Sequence, residues 1–359
     1  MTEPVTLRDV ADRAGVHVAT ASRALNPAAR SRLSEATVRR VRKAAEELDY
    51  RPNAMARGLK TSRSMSVGLL VPDLTNPLFP PIARGVEDVL AGAGYTTLIA
   101  NTDNDDERQS RQLAALRARQ VDGLILATAH RDDPELAELA GQVPLVLINR
   151  RVEGLTAPAV IADDQSGIAA AVRHLVDLGH RRVAHVAGPQ HTTTGHSRSR
   201  AFRQAMEDAG LPPGPELVAE ADAFTEAAGA RAFRLLLDGL SDDDGCTAVV
   251  AANDMIALGC LDVAEERRLR CPRDLSVVGF NDMPFVGRLT PALTTVHVPH
   301  YEIGAEAARM LLERLADPGL PRKSVTLPVS LVVRGSTAAP RTAPKTASKT
   351  APKTGRRPR

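Results

Sequence analysis

The sequence predicts two kinds of folded unit, a small all-α head followed by a larger α/β body. Within residues 1–50, three short stretches carry apolar residues at helical spacing. From Ser66 onward, short apolar runs alternate with helical stretches, which is the order expected of parallel sheets in a doubly wound α/β domain. The chain of 359 residues is also too long for one ordinary domain. We therefore expect two or three domains.

The three helices of the head follow from their capping signals. Thr6 is placed to cap the first helix, and Gly15 ends it because a tight turn there needs a positive φ. The segment VATASRAL forms the second helix, which ends at the Asn-Pro pair that follows. Ser34 is placed to cap the third. A helix, a glycine turn and a second helix make a helix-turn-helix pattern, although other small helical bundles share it.

The body is predicted from seven short apolar runs that lie between helical stretches. The runs are SVGLLV, YTTLIA, DGLILA, PLVLIN, RVAHVAG, TAVVAA and LSVVGF. Clear helical stretches span Pro81 to Gly92, Gln165 to Leu178 and Asp254 to Arg267. Parallel strands joined by helices bind ligands at their carboxyl ends, so we expect a binding site along that edge.

Charge divides along the chain, although the net charge is only +3. Residues 1–64 carry a net charge of +6, residues 341–359 carry +7, and the segment between them carries −10. Basic ends on an acidic body indicate that the ends meet a polyanion, while a solubilising surface is the alternative. Residues 338–359 repeat the pattern K-T-A-P/S without large apolar side chains, so we expect a disordered basic tail. The tail also lacks the leucine heptads of a tetramerising coiled coil.

Motifs for catalysis, metals and cofactors are absent from the sequence. Three cysteines form no C-x-x-C pair, and nine histidines form no H-E-x-x-H. The sequence has no dinucleotide fingerprint after a strand, no P-loop and no G-x-S-x-G. Asp163 and Asp164 are adjacent, and on an extended chain they would point to opposite faces. We therefore expect no enzymatic activity, no metal and no cofactor.

The beginning of the chain, MTEPVTLRDV, lacks the basic and then apolar pattern of a signal peptide. No apolar run approaches the roughly 18 residues of a membrane span. The sequence therefore predicts a cytoplasmic protein, associated with the nucleoid if the head binds DNA, and no membrane partner.

Two strings in the first third of the chain carry a family resemblance. TLRDVADRAGVHVATASRALN and YRPNAMARGLKTSRSMSVGLLVPDLTNPLF resemble the lactose-repressor/galactose-repressor (LacI/GalR) family of bacterial transcription regulators, and the resemblance continues to about residue 335. It implies a helix-turn-helix head (1–50), a hinge (51–64), a two-lobed periplasmic-binding-protein-like (type I) effector and dimerisation domain (65–337), and the tail. It also implies three crossovers between the lobes, near Asp163, Pro291 and residue 327.

The resemblance further implies that the second helix lies in the major groove of DNA. Val18 and Ala19 would face base edges, where small apolar side chains read only thymine methyls and shape, as in the galactose-type operators. Core packing is the alternative for these two residues. Arg23 is placed to contact guanine, while His17 stands where the family usually has serine. The implied DNA-binding residues of the head are Thr6, Leu7, His17, Val18, Ala19, Thr20, Ser22, Arg23 and Asn26.

The string PNAMARGLK at residues 52–60 matches the family's hinge. So short a helix, with a glycine inside it, is marginal in water and is expected to fold only on DNA. In the family, paired hinge helices enter the minor groove, where a leucine wedges a base step open. That residue is Leu59 here. The resemblance also implies that Asn53 and Ala56 of the hinge contact DNA. A plain linker is the alternative.

Twelve residues of the body match positions that line the family's effector cleft. They are Asn76, Leu78, Phe79, Asn149, Arg150, Thr194, Arg198, Phe224, Asn253, Asp254, Asn281 and Asp282. Arginine, amides and carboxylates beside an aromatic ring suit a sugar or sugar derivative. Two positions depart from the family pattern, Ala201 in place of glycine and Asn281 in place of aspartate.

Together these observations predict a homodimeric, ligand-responsive repressor that binds a palindromic operator in double-stranded DNA. Two other classes of protein remain as alternatives. A sugar-binding protein for transport would need export and would not need the head. A sugar-processing enzyme would need catalytic motifs that the sequence lacks.

Overall fold

The computed structural model describes residues 5–25, 33–50, 63–241 and 245–341. Its internal contacts divide the chain into two units, Met1–Met65 and Ser66–Arg359. The first unit contains the head and the second contains the body. The implied DNA-binding residues Asn26, Asn53, Ala56 and Leu59 lie outside the described residues.

The head contains the three predicted helices, α1 (Leu7–Ala14), α2 (Val18–Leu25) and α3 (Glu35–Glu47). The hydroxyl of Thr6 accepts a hydrogen bond from the Asp9 amide, whose carboxylate accepts from the Thr6 amide in return. Gly15 ends α1 with a φ of +61°, and the Ser34 hydroxyl caps α3 at Thr37. The caps predicted from the sequence are therefore confirmed.

The helices of the head pack around small apolar side chains. The residues buried there are Val10, Ala11, Ala14, Ala21, Ala24, Val41, Ala44 and Ala45. Because these side chains are short, the three helices approach closely, while larger groups such as Leu25, Leu48 and Tyr50 are partly buried against this core. Leu7, Val16 and Val18 are half-buried against the same core.

The body consists of two six-stranded sheets, one in each lobe. The first sheet has the order β11-β5-β4-β3-β1-β2 and is parallel throughout. Its strands are β1 (Ser66–Val71), β2 (Thr96–Asn101), β3 (Gly123–Leu126), β4 (Leu145–Ile148), β5 (Ala159–Ala162) and β11 (Ser324–Leu327).

The second sheet has the order β12-β10-β9-β8-β6-β7 and is parallel except for β12, which pairs antiparallel with β10. Its strands are β6 (Val183–Ala187), β7 (Val218–Glu220), β8 (Ala248–Ala251), β9 (Ser276–Asn281), β10 (Thr294–His297) and β12 (Ser330–Val332). The two-lobed doubly wound architecture predicted for the body is therefore confirmed.

Eight α-helices are described in the body. They are α4 (Phe79–Gly92), α5 (Asp106–Ala118), α6 (Pro134–Leu139), α7 (Asp164–Asp177), α8 (Thr193–Asp208), α9 (Glu226–Asp238), α10 (Asp254–Glu266) and α11 (His300–Ala316). The helices α4 and α11 cross at glycines. A Cβ atom on Gly304 would lie 2.0 Å from the Ile82 carbonyl oxygen, so only glycine permits this approach.

The chain passes between the two sheets three times. The first passage follows β5 at Asp163 and the third lies between Leu327 and Ser330, as predicted. The second passage was predicted near Pro291, and this position is wrong. Pro291 precedes β10, which pairs with β9 in the second sheet, so the chain leaves that sheet only at Val298 and enters α11, which packs on α4 of the first lobe.

None of the described helices combines the length and the apolar character that a membrane crossing requires.

Candidate functional site

Helix α2 has one buried face and one open face. Ala21 and Ala24 are fully buried, whereas Ala19 and Arg23 are exposed and lie four residues apart, on one side of the helix. Arg23 therefore extends from the surface that Ala19 shares. Val18 is half-buried against the head core, so core packing accounts for part of this side chain. The implied DNA contacts Thr20 and Ser22 are half-buried as well.

His17 and Thr6, both implied DNA contacts, have structural partners at helix N-termini. The Nδ1 atom of His17 accepts a hydrogen bond from the Ala19 amide at 3.2 Å, so this histidine closes the first turn of α2. The Thr6 hydroxyl donates to the Asp9 carboxylate at 2.7 Å and accepts from the Asp9 amide at 3.4 Å. His17 thus acts as a local cap of α2.

Replacing Arg23 by alanine is expected to weaken operator binding by about 1–3 kcal/mol per half-site, because a bidentate arginine contact to guanine contributes about that much. Binding to random DNA should change little. The measurement is a titration of full-length protein with operator and with random duplex at one salt concentration. Arg40→Ala, at an exposed arginine of α3, serves as the control. Equal losses on both duplexes would contradict a base-reading role for Arg23.

A cavity of about 160 Å³ lies in the body at the carboxyl ends of strands from both sheets. This is the edge at which doubly wound sheets bind ligands. We call this space the effector cavity. Asn149 and Asn281 leave β4 and β9 with positive φ angles of +60° and +118°, a backbone geometry that concentrates at binding sites. Nine of the twelve implied cleft residues line the cavity, namely Asn76, Leu78, Phe79, Asn149, Arg150, Thr194, Phe224, Asn253 and Asn281.

Several polar residues of the effector cavity were missed by sequence reasoning. They are Asp73, Asn104, His191, Thr192, Asp222 and Thr225. Asp73, Asn104 and Asp222 each follow a strand within three residues, so the rule that ligands bind at carboxyl ends of strands would have identified them. Asp73 and Asp222 add two carboxylates to the cavity wall, where Asp73 accepts from the Thr75 amide and hydroxyl and Asp222 pairs with Arg231 at 2.8 Å.

Arg150 is the buried cation of the effector cavity. Its side chain is 5% exposed, and its Nε has no hydrogen-bond partner in the described part of the chain. The guanidinium lies 5.8 Å from the centre of the Phe224 ring. Burial, together with the nearby Arg198, lowers the pKa of Arg150 to about 10, so the group stays charged at neutral pH. It therefore offers a ligand oxygen an unused donor beside an aromatic face.

Arg198 is one of three implied cleft residues that do not line the effector cavity. It is 3% exposed, and its Nε donates to Asp164 Oδ1 at 2.8 Å while Nη1 donates to the Ala252 carbonyl at 2.8 Å. The guanidinium lies 3.8 Å from the centre of the Phe280 ring. These contacts hold Arg198 within the second lobe.

Asp163 and Asp164 lie at the N-terminus of α7 and not on an extended chain. Asp163 caps the helix at Ser166, whereas Asp164 pairs with Arg198. The two carboxylates thus have separate structural partners. Among the described residues, no cluster of histidine, cysteine, aspartate or glutamate is placed to hold a metal ion.

Asp254 and Asp282 are the other two implied cleft residues that do not line the effector cavity. Their hydrogen bonds stabilise the turn that follows β9. Asp254 is fully buried and accepts hydrogen bonds from the Met283 amide at 2.8 Å and the Thr295 hydroxyl at 2.5 Å. Asp282 accepts from Arg334 at 2.6 Å and contacts His297 at 3.2 Å. Because Asn281 lies between these anchors, the two carboxylates support its position at the cavity.

Asp254 should make the stability of the body fall as pH rises from about 4 to about 7. Burial raises the pKa of Asp254 to about 7, so the folded state holds a proton that the unfolded chain releases near pH 4. The stabilisation is complete below the unfolded pKa and is lost as pH rises through the folded value. Asp254→Asn should remove this contribution. Urea unfolding of both proteins at several pH values checks it, and a parallel pH dependence would contradict it.

Arg131 joins the two lobes next to His191, a residue of the effector cavity wall. It lies after β3 in the first lobe, and its amide and guanidinium donate to the carbonyl oxygens of His191 and Gln190 in the second lobe, at 2.8 and 3.1 Å. Glu153 holds the guanidinium at 3.1 Å. The rings of His130 and His191 meet across the same boundary with centroids 5.0 Å apart. A ligand that contacts His191 therefore lies beside the junction of the lobes.

Comparison with protein families divides the chain in the same way. A model described as bacterial regulatory proteins, lacI family, matches residues 6–53, and one described as a periplasmic binding protein-like domain matches residues 172–337. The chain is 36% identical to a ribose operon repressor of Halalkalibacterium halodurans, over 92% of this chain and 97% of the relative. It is 35% identical to the HTH-type transcriptional repressor CytR of Escherichia coli, over 93% and 96%.

Solved structures show the same architecture. A lac repressor dimer bound to operator and the anti-inducer ONPF is 27% identical, with a TM-score of 0.83, and the match covers 94% of this chain and 100% of that one. A regulator from Enterococcus faecium with bound ribose is 32% identical, with a TM-score of 0.66, over 76% and 99%.

Proposed function

The chain belongs to the lacI family of bacterial regulatory proteins, and we propose that it is a repressor whose operator binding is controlled by a small sugar-like ligand. The proposal depends on the presence, in one chain, of a head that matches the lacI family model and a cavity whose wall contains a buried arginine, Arg150. The Nε of this arginine has no hydrogen-bond partner among the described residues. The cavity is the site for the controlling ligand, and α2 is the element that reads the operator.

A homodimer on a palindromic operator follows from the architecture of the relatives. The lac repressor structure is described as a dimer bound to operator, and it matches this chain over almost its full length. Two heads related by a twofold axis read two equivalent half-sites. The contacts that we assign to each half-site come from Ala19 and Arg23, with Val18 contributing from a half-buried position.

The cavity favours a polyhydroxylated ligand of pentose size. Its wall supplies amides, two carboxylates and one charged donor, from Asn76, Asn253, Asn281, Asp73, Asp222 and Arg150. Carboxylates and amides pair with vicinal hydroxyls, while the face of Phe224 packs on the apolar face of a sugar ring. Support from relatives comes from the ribose bound in the Enterococcus faecium structure and from the name of the ribose operon repressor.

Control of DNA binding then follows from the position of the cavity at the junction of the lobes. A ligand that binds one arrangement of the lobes more tightly shifts the population toward it. Arg131 and its partners Gln190 and His191 are contacts that such a shift would make or break. The protein would act at the chromosome, in the cytoplasm near the nucleoid, as a binding protein and not as an enzyme.

The proposal is tested with full-length protein and the DNA upstream of its own gene. A thermal-shift panel of ribose, other pentoses, hexoses and nucleosides identifies a ligand, because a ligand at 100 times its Kd stabilises the folded state by about 2.7 kcal/mol. Footprinting then checks for a protected palindrome. A transport protein would bind the sugar and leave the DNA unprotected. Turnover of a bound sugar would instead support the enzyme alternative.

A further inference from the structure

A second cavity, of about 450 Å³, lies beside the effector cavity in the body. We call this space the lateral cavity. Both lobes contribute to it, since Arg151 follows β4 of the first lobe and Arg200 lies on α8 of the second. Its polar wall comes mainly from the segment after β4 and from α7 and α8, through Arg151, Gln165, Thr193, Ser197, Arg200 and Gln204.

The lateral cavity and the effector cavity share a wall. Arg150 and Thr194 line the effector cavity. Their sequence neighbours Arg151 and Thr193 line the lateral cavity. Asn149 lines both. The Arg151 amide donates to the Thr193 hydroxyl at 3.1 Å, so the wall itself joins the two lobes. A ligand on either side of this wall contacts the same short backbone segments.

Arg151 and Arg200 supply the positive charge of the lateral cavity, whose wall also contains the carboxylates of Asp163 and Asp164. Among the described residues, neither the Arg151 nor the Arg200 guanidinium takes part in a hydrogen bond or an ion pair, and both side chains are exposed. Both carboxylates accept hydrogen bonds within the protein, but only the charge of Asp164 is offset by an ion pair. Asp163 accepts from the amide and hydroxyl of Ser166, at 3.0 and 2.7 Å, and Asp164 pairs with Arg198.

We propose that the lateral cavity binds a small anionic metabolite, whose phosphate or carboxylate oxygens are held by Arg151 and Arg200. Guanidinium groups bind such oxyanions in a two-pronged geometry, and two of them suit a doubly charged group. The Ser197 hydroxyl and the Gln165 and Gln204 amides bind the polar remainder of the ligand. This site is separate from the sugar site of the proposed function and does not depend on it.

A ligand in the lateral cavity would bridge the lobes and so act on the same equilibrium as the first ligand. Arg151 and Arg200 belong to different lobes, so an oxyanion between them stabilises the arrangement in which both reach it. Linkage requires that each ligand changes the affinity of the other by the same factor. The protein would then respond to a sugar and to an anion together.

The test uses inorganic phosphate and citrate as probes of the two anion sources, on the full-length protein. Melting temperatures and calorimetric affinities are measured against sodium chloride at matched ionic strength. The test variant is Arg151→Gln with Arg200→Gln. The matched control is Arg119→Gln with Arg173→Gln, which removes the same charge from exposed positions, one in each lobe, outside both cavities. A third variant, Arg150→Gln, reports on the effector cavity.

We expect phosphate, citrate or both to stabilise the wild type above chloride. The affinity should fall at least tenfold in Arg151→Gln/Arg200→Gln and stay unchanged in Arg119→Gln/Arg173→Gln and in Arg150→Gln. A response to phosphate alone identifies a phosphorylated metabolite, and a response to citrate alone identifies a carboxylate. No stabilisation of the wild type, retained binding in the test variant, an equal loss in the control, or loss in Arg150→Gln would each overturn the proposal.

Discussion

Replacing Arg198 by alanine is expected to lower the free energy of unfolding of the body by about 3–5 kcal/mol, because it leaves a buried carboxylate without its partner. Arg198 is 3% exposed and holds Asp164 and the Ala252 carbonyl. Burial raises the pKa of Asp164, and Arg198 opposes that rise. Without the arginine, the carboxyl group must take up a proton or remain buried and charged. Either outcome weakens the second lobe.

Urea unfolding followed by circular dichroism measures this loss, since the chain has no tryptophan. Arg203→Ala on the same helix is the control, because Arg203 is exposed. The double variant Arg198→Ala/Asp164→Ala should lose less than the sum of the two single variants, as contacting residues do. An Arg198→Ala protein as stable as the Arg203→Ala control would show that the ion pair contributes nothing to folding.

Replacing Arg150 by glutamine should change the free energy of unfolding little and weaken ligand binding strongly, in contrast to the Arg198 variant. The guanidinium is buried without an ion-pair partner in the described part of the chain, so removing its charge also removes a desolvation cost. A hydrogen bond from a charged donor contributes about 1.5–3 kcal/mol. The ligand found in the panel should therefore bind about 10- to 150-fold more weakly.

Calorimetry with that ligand and urea unfolding without it separate the two effects. The exposed Arg173 of α7, which lies outside the effector cavity, serves as the matched arginine. Arg173→Gln should leave both the ligand affinity and the stability unchanged. Ligand affinity in Arg150→Gln equal to that of Arg173→Gln would exclude Arg150 as a ligand contact.

Local signals predicted the head and the carboxyl ends of strands well. The caps at Thr6, Gly15 and Ser34 depend on residues within one turn, and the structure confirms them. The resemblance placed the second crossover too early, because the strand β10 follows Pro291 and still pairs with β9 in the second sheet. Its sequence, TTVH, lacks the apolar run that marked the other strands, so the sequence pattern did not reveal it.

Long-range pairing is the part of the site that sequence could not supply. Arg198 and Asp164 are 34 residues apart along the chain, and no local pattern indicates that these groups meet. The family position of Arg198 predicted a side chain facing ligand, whereas the folded chain surrounds it with Asp164, Ala252 and Phe280. The division of neighbouring residues between two cavities also emerges only in three dimensions.

The central claim is that occupation of the effector cavity controls operator binding. It is tested by titrating operator DNA with wild type and with Arg150→Gln, in the presence and absence of the ligand found in the panel. Coupling free energies of about 1–3 kcal/mol are typical of such control. We predict that the ligand changes the operator affinity of the wild type by about 5- to 150-fold, and that the same ligand concentration leaves Arg150→Gln unaffected. A ligand that saturates the wild type by calorimetry and leaves its operator affinity unchanged would contradict the account.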